Sequence, residues 1–364
     1  MKDITIVGAG NGGCAMAADL TLRGFQVRLC EIYNPNRIQE LKKHGGIELT
    51  GAAGKGLLCP KLMTTSIDEA IKDVDIIFCT IPANGLEFNI RKFVPYLRSG
   101  QIIILTPGGV GGALFITNLL NHEKIENLFV GETCTLPYGC RLASPFHVEV
   151  YNVSKDVVFA MLPDIKTDEV LKLIKLFLPN LIKGETVLET DLTYVNYLLH
   201  PVGMILNAGW IEHRKGDFAF YYDGISPSVA KILEELDNER LNIIRALKFK
   251  PISFVEWSFR RGKSQLRDSV YNSIHSGISN RTIKAPKSLE HRYILEDVPY
   301  GLVPISYLGQ LLNIQMPVTN ALILIASRMC GKDFMKEGWN LEKMGISKMS
   351  LTQIKKWVYE GSLL

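Results

Sequence analysis

The first residues whose spacing could do chemistry are glycines. Gly8-Ala9-Gly10-Asn11-Gly12-Gly13 sets Gly8, Gly10 and Gly13 in a GxGxxG pattern. An apolar segment, residues 4–8, precedes it and a small-residue segment, 11–23, follows, which reads as strand, tight loop and helix. Gly8 permits the turn, Gly10 lets a pyrophosphate approach the backbone, and Gly13 lets helix and sheet pack closely. A helix opening at Asn11 and Gly12 would offer N–H groups and the positive end of its dipole to the phosphates. The same glycines would also serve a tight turn that binds nothing. Glu31 ends a second apolar segment, 18 residues after Gly13. A carboxylate there can bond both hydroxyls of an adenosine ribose and repels a 2′-phosphate, which favours NAD. Arg37 lies near enough in sequence to serve a 2′-phosphate, so NADP stays in play. A second glycine run, Gly108-Gly109-Val110-Gly111-Gly112, follows the apolar segment 101–105. It is either a loop passing near cofactor or substrate, or a flexible connection.

A nicotinamide enzyme also needs a group that can hand over a proton. Among seven histidines, His200 differs in lying in an uncharged stretch. Asn196, four residues earlier, would project from the same helix face. Pro201 leaves the Tyr197 carbonyl without its helical donor and could bend the helix. A satisfied core histidine would fit the same stretch. Asp297 precedes another uncharged stretch; against a buried histidine it would fix the tautomer and stabilise the imidazolium. Turn or cap chemistry is the alternative for Asp297. Arg292 could fork onto a substrate carboxylate, or be a surface arginine. The chain has no GxSxG, HExxH or Walker loop and no clustered Cys/His spacing, so hydrolase, metal and P-loop chemistry find no support.

These residues need elements to hold them. At 364 residues, two domains are the default. In the first half, apolar segments 4–8, 25–31, 75–80, 101–105 and 128–131 alternate with helical ones such as 11–23 and 35–43. A hairpin is expected at 46–50 and 56–59, and further strands at 148–151 and 157–161. The class is therefore α/β: an N-terminal Rossmann-like, doubly wound, mostly parallel sheet over residues 1–186. Residues 187–364 read as an all-α substrate and catalytic domain. In it, 192–209 forms one helix and Ser226-Pro227 opens a long one. The composition, 47% hydrophobic and 21% charged, excludes a disordered chain. Residues 4–18, 99–122, 192–211 and 298–327 lack Asp, Glu, Lys and Arg, and the last exceeds the roughly 20 residues that span a bilayer. Its prolines, glycines and amides argue against a span, so no membrane association is expected. The net charge of +4 is spread along the chain. Its only compact basic run, Arg260-Arg261-Gly262-Lys263, reads as a solvated loop rather than a nucleic-acid patch. Seven cysteines without CxxC suggest reduced thiols and a cytoplasmic protein. The apolar helical half suits a homodimer or an internal core equally.

Taken together, the motifs resemble the NAD/NADP octopine/nopaline dehydrogenase family, the opine dehydrogenases. The resemblance covers nearly the whole chain. It runs through the first glycine loop, Pro107-Gly108-Gly109-Val110-Gly111-Gly112, Gly131-Glu132-Thr133, and Asn196 to His200-Pro201. It continues through Leu206-Asn207-Ala208, Tyr222-Asp223-Gly224-Ile225-Ser226-Pro227, Arg292-Tyr293, Glu296-Asp297-Val298 and Gly301-Leu302-Val303-Pro304. It implies NAD(P)H-dependent reductive condensation of an amino group with a 2-oxo acid through an imine. It also implies that His200 is the catalytic histidine, Asp297 its partner, and Arg292 the holder of the oxo-acid carboxylate. The partners would be those two small molecules, with no nucleic acid. The rival readings are a 2-oxo-acid reductase like ketopantoate reductase and a non-catalytic NAD-binding sensor.

Overall fold

The computed structural model of the protein describes residues 3–361 apart from 124 and 126; the outer limits of the two expected domains lie outside the described residues. The alternating segments form twelve strands. They are β1 (Ile4–Val7), β2 (Val27–Cys30), β3 (Ile47–Gly51), β4 (Gly56–Leu58), β5 (Leu62–Thr64), β6 (Ile76–Cys79), β7 (Ile102–Leu105), β8 (Phe129–Thr133), β9 (Tyr138–Leu142), β10 (His147–Val153), β11 (Val157–Leu162) and β12 (Leu181–Lys183). Eight make a sheet in the order β12-β11-β8-β7-β6-β1-β2-β5. Pairing is parallel from β5 through β8; β11 joins β8 antiparallel and carries β12 parallel to itself. Every residue of β1 and β6 is buried, as expected for central strands covered on both faces. Val7 lies opposite both Cys30 and Cys79. The order reverses at β1, so the glycine loop leaves the sheet at a topological switch point, where open α/β sheets bind ligands.

The remaining strands form a second sheet, β4-β3-β10-β9. Its β3/β4 pair is the expected hairpin, but the separate sheet and strands β5, β9 and β12 were not anticipated. The helix Asn11–Leu22 touches strands of both sheets. Residues 12–20 are accordingly all buried, which explains the glycine- and alanine-rich sequence: no face remains for polar side chains. Its one buried acid, Asp19, accepts a 2.7 Å hydrogen bond from the Tyr138 hydroxyl.

The chain forms two compact units. One contains residues up to 108, 112–190 and the stretch from Lys355; the other contains Gly109–Gly111 and Asp191–Ile354. In the second unit the helices Asn196–Leu206, Pro227–Ala246 and Pro317–Cys330 pack on one another. Ser226 caps the long helix by accepting from the Val229 N–H, with Pro227 as its first residue. Three buried polar residues on that helix serve its neighbours. Arg240 donates to the Leu192 and Ile252 carbonyls and to Asp237. Glu239 accepts from Val318 N–H, Thr319 N–H and the Thr319 hydroxyl, capping the Pro317–Cys330 helix. Val110 of the second glycine run donates to the Tyr300 carbonyl at 2.8 Å, within this unit.

The single helix expected over 192–209 is instead three: Val187–Thr193, Asn196–Leu206 and Ala208–Arg214. The first break falls where β-branched Thr193 and Val195, poor helix formers, flank Tyr194. The second falls at Asn207, whose Nδ2 bonds the Gly203 and Gly224 carbonyls. No described helix is long and apolar enough to cross a membrane.

Candidate active site

In the sheet unit the glycine loop is held by charge. The Ala9 N–H donates to Glu31 Oε2 at 2.8 Å, while Arg37 donates to the Ala9 carbonyl at 3.1 Å. The two peptide groups flanking the Ala9 Cα are thus held, the first by a carboxylate at its N–H and the second by a guanidinium at its carbonyl. Glu31 Oε1 also accepts from the Tyr33 and Asn34 N–H groups. A Cβ at Gly13 would lie 1.7 Å from the Gly8 carbonyl oxygen, so only glycine lets the helix start there; a Cβ at Gly10 would meet nothing within 4 Å. The loop is therefore closed against the protein at Gly13 and open at Gly10, which fits the close backbone approach of a pyrophosphate. The first N–H groups of the following helix have no partner within it. Gly12 packs on Leu136. Asn11 differs in use: its Oδ1 accepts from the Leu142 N–H at 2.8 Å, tying the loop to β9. Burial pushes the thiols around the loop up, Cys14 to about 11 and Cys30, Cys79 and Cys140 to about 12. They stay protonated and are not nucleophiles.

In the helical unit His200 and Asp297 meet. His200 Nδ1 lies 2.7 Å from Asp297 Oδ2, with the two residues 6% and 1% exposed. An ionised carboxylate only accepts, so Nδ1 carries the hydrogen. The other carboxylate oxygen accepts from the Tyr194 hydroxyl at 2.8 Å. Burial, together with Asp297, raises the Tyr194 phenol well above its ordinary range, so it stays a donor. The Tyr293 ring stacks on the imidazole, 3.7 Å between centroids and 14° from parallel. His200 Nε2 lies 2.9 Å from the Tyr221 hydroxyl.

The backbone explains how residues 97 apart come together. Asp297 begins a π-helical turn, Val298–Leu302, in which the Leu302 N–H reaches back five residues to the Asp297 carbonyl. Such turns are often functional. A Cβ at Gly301 would lie 2.4 Å from Tyr197 Cβ, so glycine is what lets this turn lie against the histidine's helix. Arg292 sits on the short helix Arg292–Leu295 and pairs with buried Glu296 at 2.8 Å, with 43% of its side chain exposed. Asn196 is the first residue of the histidine's helix and is half-buried. Tyr194, Tyr221, Tyr293 and Glu296 complete the cluster; none had a role assigned from sequence, although Tyr293 and Glu296 stand within the motifs Arg292-Tyr293 and Glu296-Asp297-Val298. Tyr221 stands one residue before the motif that begins at Tyr222; the others adjoin Asn196, Arg292 and Asp297.

Residues 183–330 match the model of the NAD/NADP octopine/nopaline dehydrogenase α-helical domain, and residues 4–174 match that of ketopantoate reductase PanE/ApbA. The chain is 35% identical to an opine dehydrogenase of Arthrobacter sp. (strain 1C), over 98% of this chain and 99% of that protein. The chain belongs to the opine dehydrogenase family. It is, with that family, an NAD(P)-dependent oxidoreductase acting on CH–NH groups. Its fold is that of an octopine dehydrogenase solved with NADH and pyruvate (TM-score 0.80, 18% identity, 97% of this chain and 98% of that one). It is also that of an NADP+-bound yersinopine dehydrogenase (TM-score 0.74, 15% identity, 95% and 96% covered).

Proposed function

We propose that this opine dehydrogenase reductively condenses the amino group of an amino acid or related amine with a 2-oxo acid such as pyruvate. The product is a secondary-amine dicarboxylate. The observation that carries the reading is the buried His200–Asp297 bond in a chain of this family. We assign residues 1–186 to the cofactor and 187–364 to substrate chemistry. Gly8, Gly10, Gly12 and Gly13, with the helix start at Asn11, would hold the pyrophosphate, and Glu31 the adenosine ribose. Once bound, the nicotinamide supplies hydride to the imine carbon. Glu31 favours NAD, while Arg37 leaves NADP open. Seven free cysteines, five of them buried, fit a reducing cytoplasm.

His200 handles the proton at Nε2, because Asp297 occupies Nδ1. As imidazole it takes a proton from the incoming ammonium; as imidazolium it gives one to the hydroxyl that leaves during imine formation. Asp297 balances the imidazolium charge. Arg292, anchored by Glu296, directs its exposed guanidinium to the oxo-acid carboxylate as a two-pronged donor. Asn196, on the same helix as His200, contributes an amide to the substrates.

The test is NADH oxidation with pyruvate alone, amino acid alone, and both. Turnover is expected only with both; full activity with oxo acid alone would mark a simple 2-oxo-acid reductase. His200→Ala is expected to lower kcat by about 10²–10⁴-fold while NADH still binds. Retained turnover would refute the assigned role.

A further inference from the structure

Asp297 takes one nitrogen of His200, so all proton traffic must use the other. That nitrogen, Nε2, faces the Tyr221 hydroxyl at 2.9 Å. Tyr221 is 9% exposed, and its chain segment is fixed on several sides. The Phe220 N–H donates to the Ile283 carbonyl, and the Ile225 N–H to the Tyr221 carbonyl. Asp223 accepts from the Ala219 N–H, Asn207 holds the Gly224 carbonyl, and His275 Nε2 contacts the Tyr222 carbonyl. The phenol is therefore placed by its backbone and is not a loose side chain resting on the imidazole.

A hydroxyl donates and accepts. Opposite neutral His200 it donates to Nε2; opposite the imidazolium it accepts from Nε2–H. No rearrangement of the pair is needed as His200 changes charge. We propose that Tyr221 is a proton-relay residue through which His200 exchanges its proton with the substrates. This rests on the reading of His200 as the acid–base group. During imine formation the Nε2–H bond of the imidazolium breaks as a new O–H bond forms on Tyr221. The original Tyr221 O–H proton passes in the same step to the hydroxyl of the carbinolamine. Its C–O bond then breaks, water leaves with the bonding pair, and the nitrogen lone pair forms the C=N bond. The imidazole ends neutral and the phenol unchanged. Concerted passage avoids a free tyrosinate, whose parent phenol ordinarily ionises about 3.5 units above imidazolium.

The experiment is Tyr221→Phe, followed by single-turnover decay of NADH absorbance with pyruvate and an amino acid in H2O/D2O mixtures. Two protons moving together make the native rate bow below a straight line as the D2O fraction rises. The variant should be about 10²-fold slower, depend linearly on D2O fraction, and bind NADH as before. A native rate, or an unchanged bowed dependence, overturns the relay. As a second variant, difluorotyrosine introduced at position 221 keeps the shape and hydrogen bond but makes the phenol more acidic. It should move the alkaline limb of the pH–rate profile to lower pH; an unmoved limb counts against the proposal, and a loss of packing alone would not move it. His200→Ala run in parallel separates the two readings. If it still turns over, the acid–base role of His200 falls; if it collapses while Tyr221→Phe behaves as native, only the relay falls.

Discussion

Asp297 shows how much chemistry one carboxylate can fix. It accepts from His200 Nδ1 and from the Tyr194 hydroxyl, so both its oxygens are engaged by donors. Asp297→Asn would keep the volume but put an amide NH2 toward one of them. If it faces Nδ1, the imidazole must take the other tautomer and Nε2 carries the hydrogen, unable to accept a proton. We expect kcat to fall about 10²–10⁴-fold, with NADH affinity retained in a fluorescence titration and little change in thermal stability. A kcat within a few-fold of native would sink the pairing's role. His200 was legible in sequence because it lies inside an uncharged stretch, and Asp297, beside Glu296, because it borders the next one; the resemblance supplied their pairing. Tyr221 was not, since Phe218-Ala219-Phe220-Tyr221-Tyr222 reads as an aromatic core run. What separates Tyr221 from its neighbours is the direction of one hydroxyl, and composition does not encode direction. Glu31 and Arg37 were legible as charges near the glycine loop, but their grip on the Ala9 N–H and the Ala9 carbonyl was not.

At the scale of elements, the site depends on two local departures from regular helix. The histidine's helix starts afresh at Asn196, which frees Tyr194 to point at Asp297. The π-helical turn after Asp297 lies close to that helix only because residue 301 has no Cβ. Gly301→Ala would set a methyl 2.4 Å from Tyr197 Cβ, and since both atoms are close to the backbone, an element must shift. Overpacking of this kind costs about 1–3 kcal/mol. Calorimetry should show a lowered Tm, and kcat should fall as well, because the turn that moves carries Asp297. A variant with native Tm and kcat would show that the turn adjusts freely. The long helix from Pro227 was readable from its cap and its apolar period. The break at Tyr194 was not: the uncharged period runs on across it, and the β-branched Thr193 and Val195 that flank it are only a weak local signal.

At the scale of the whole molecule, the doubly wound sheet was readable because alternating buried strands and helices admit few arrangements. The second sheet was not, since its pairing of β3 with β10 joins residues about a hundred positions apart. The two sheets enclose the Asn11–Leu22 helix together with Cys14 and Cys140, and Cys30 and Cys79, one residue on from inward-facing Leu29 and Phe78, are buried on the other face of the larger sheet, which has a consequence for stability. Cys30, Cys79 and Cys140 rise from an ordinary 9.0 to about 12, chiefly through burial. In the unfolded chain they ionise near 9.0, so above that pH the unfolded state binds fewer protons than the folded one. The sign is therefore negative: stability is fully present below about pH 9 and declines as pH rises toward 12. Buried Tyr138 and Tyr194, also raised by burial, steepen the decline once free phenols begin to ionise near about pH 10. Urea denaturation followed by tryptophan fluorescence should give a midpoint that falls steadily above about pH 9. Cys79→Ala should flatten that slope while lowering the midpoint at neutral pH. A midpoint constant across the alkaline range would show that these thiols reach water in the folded chain.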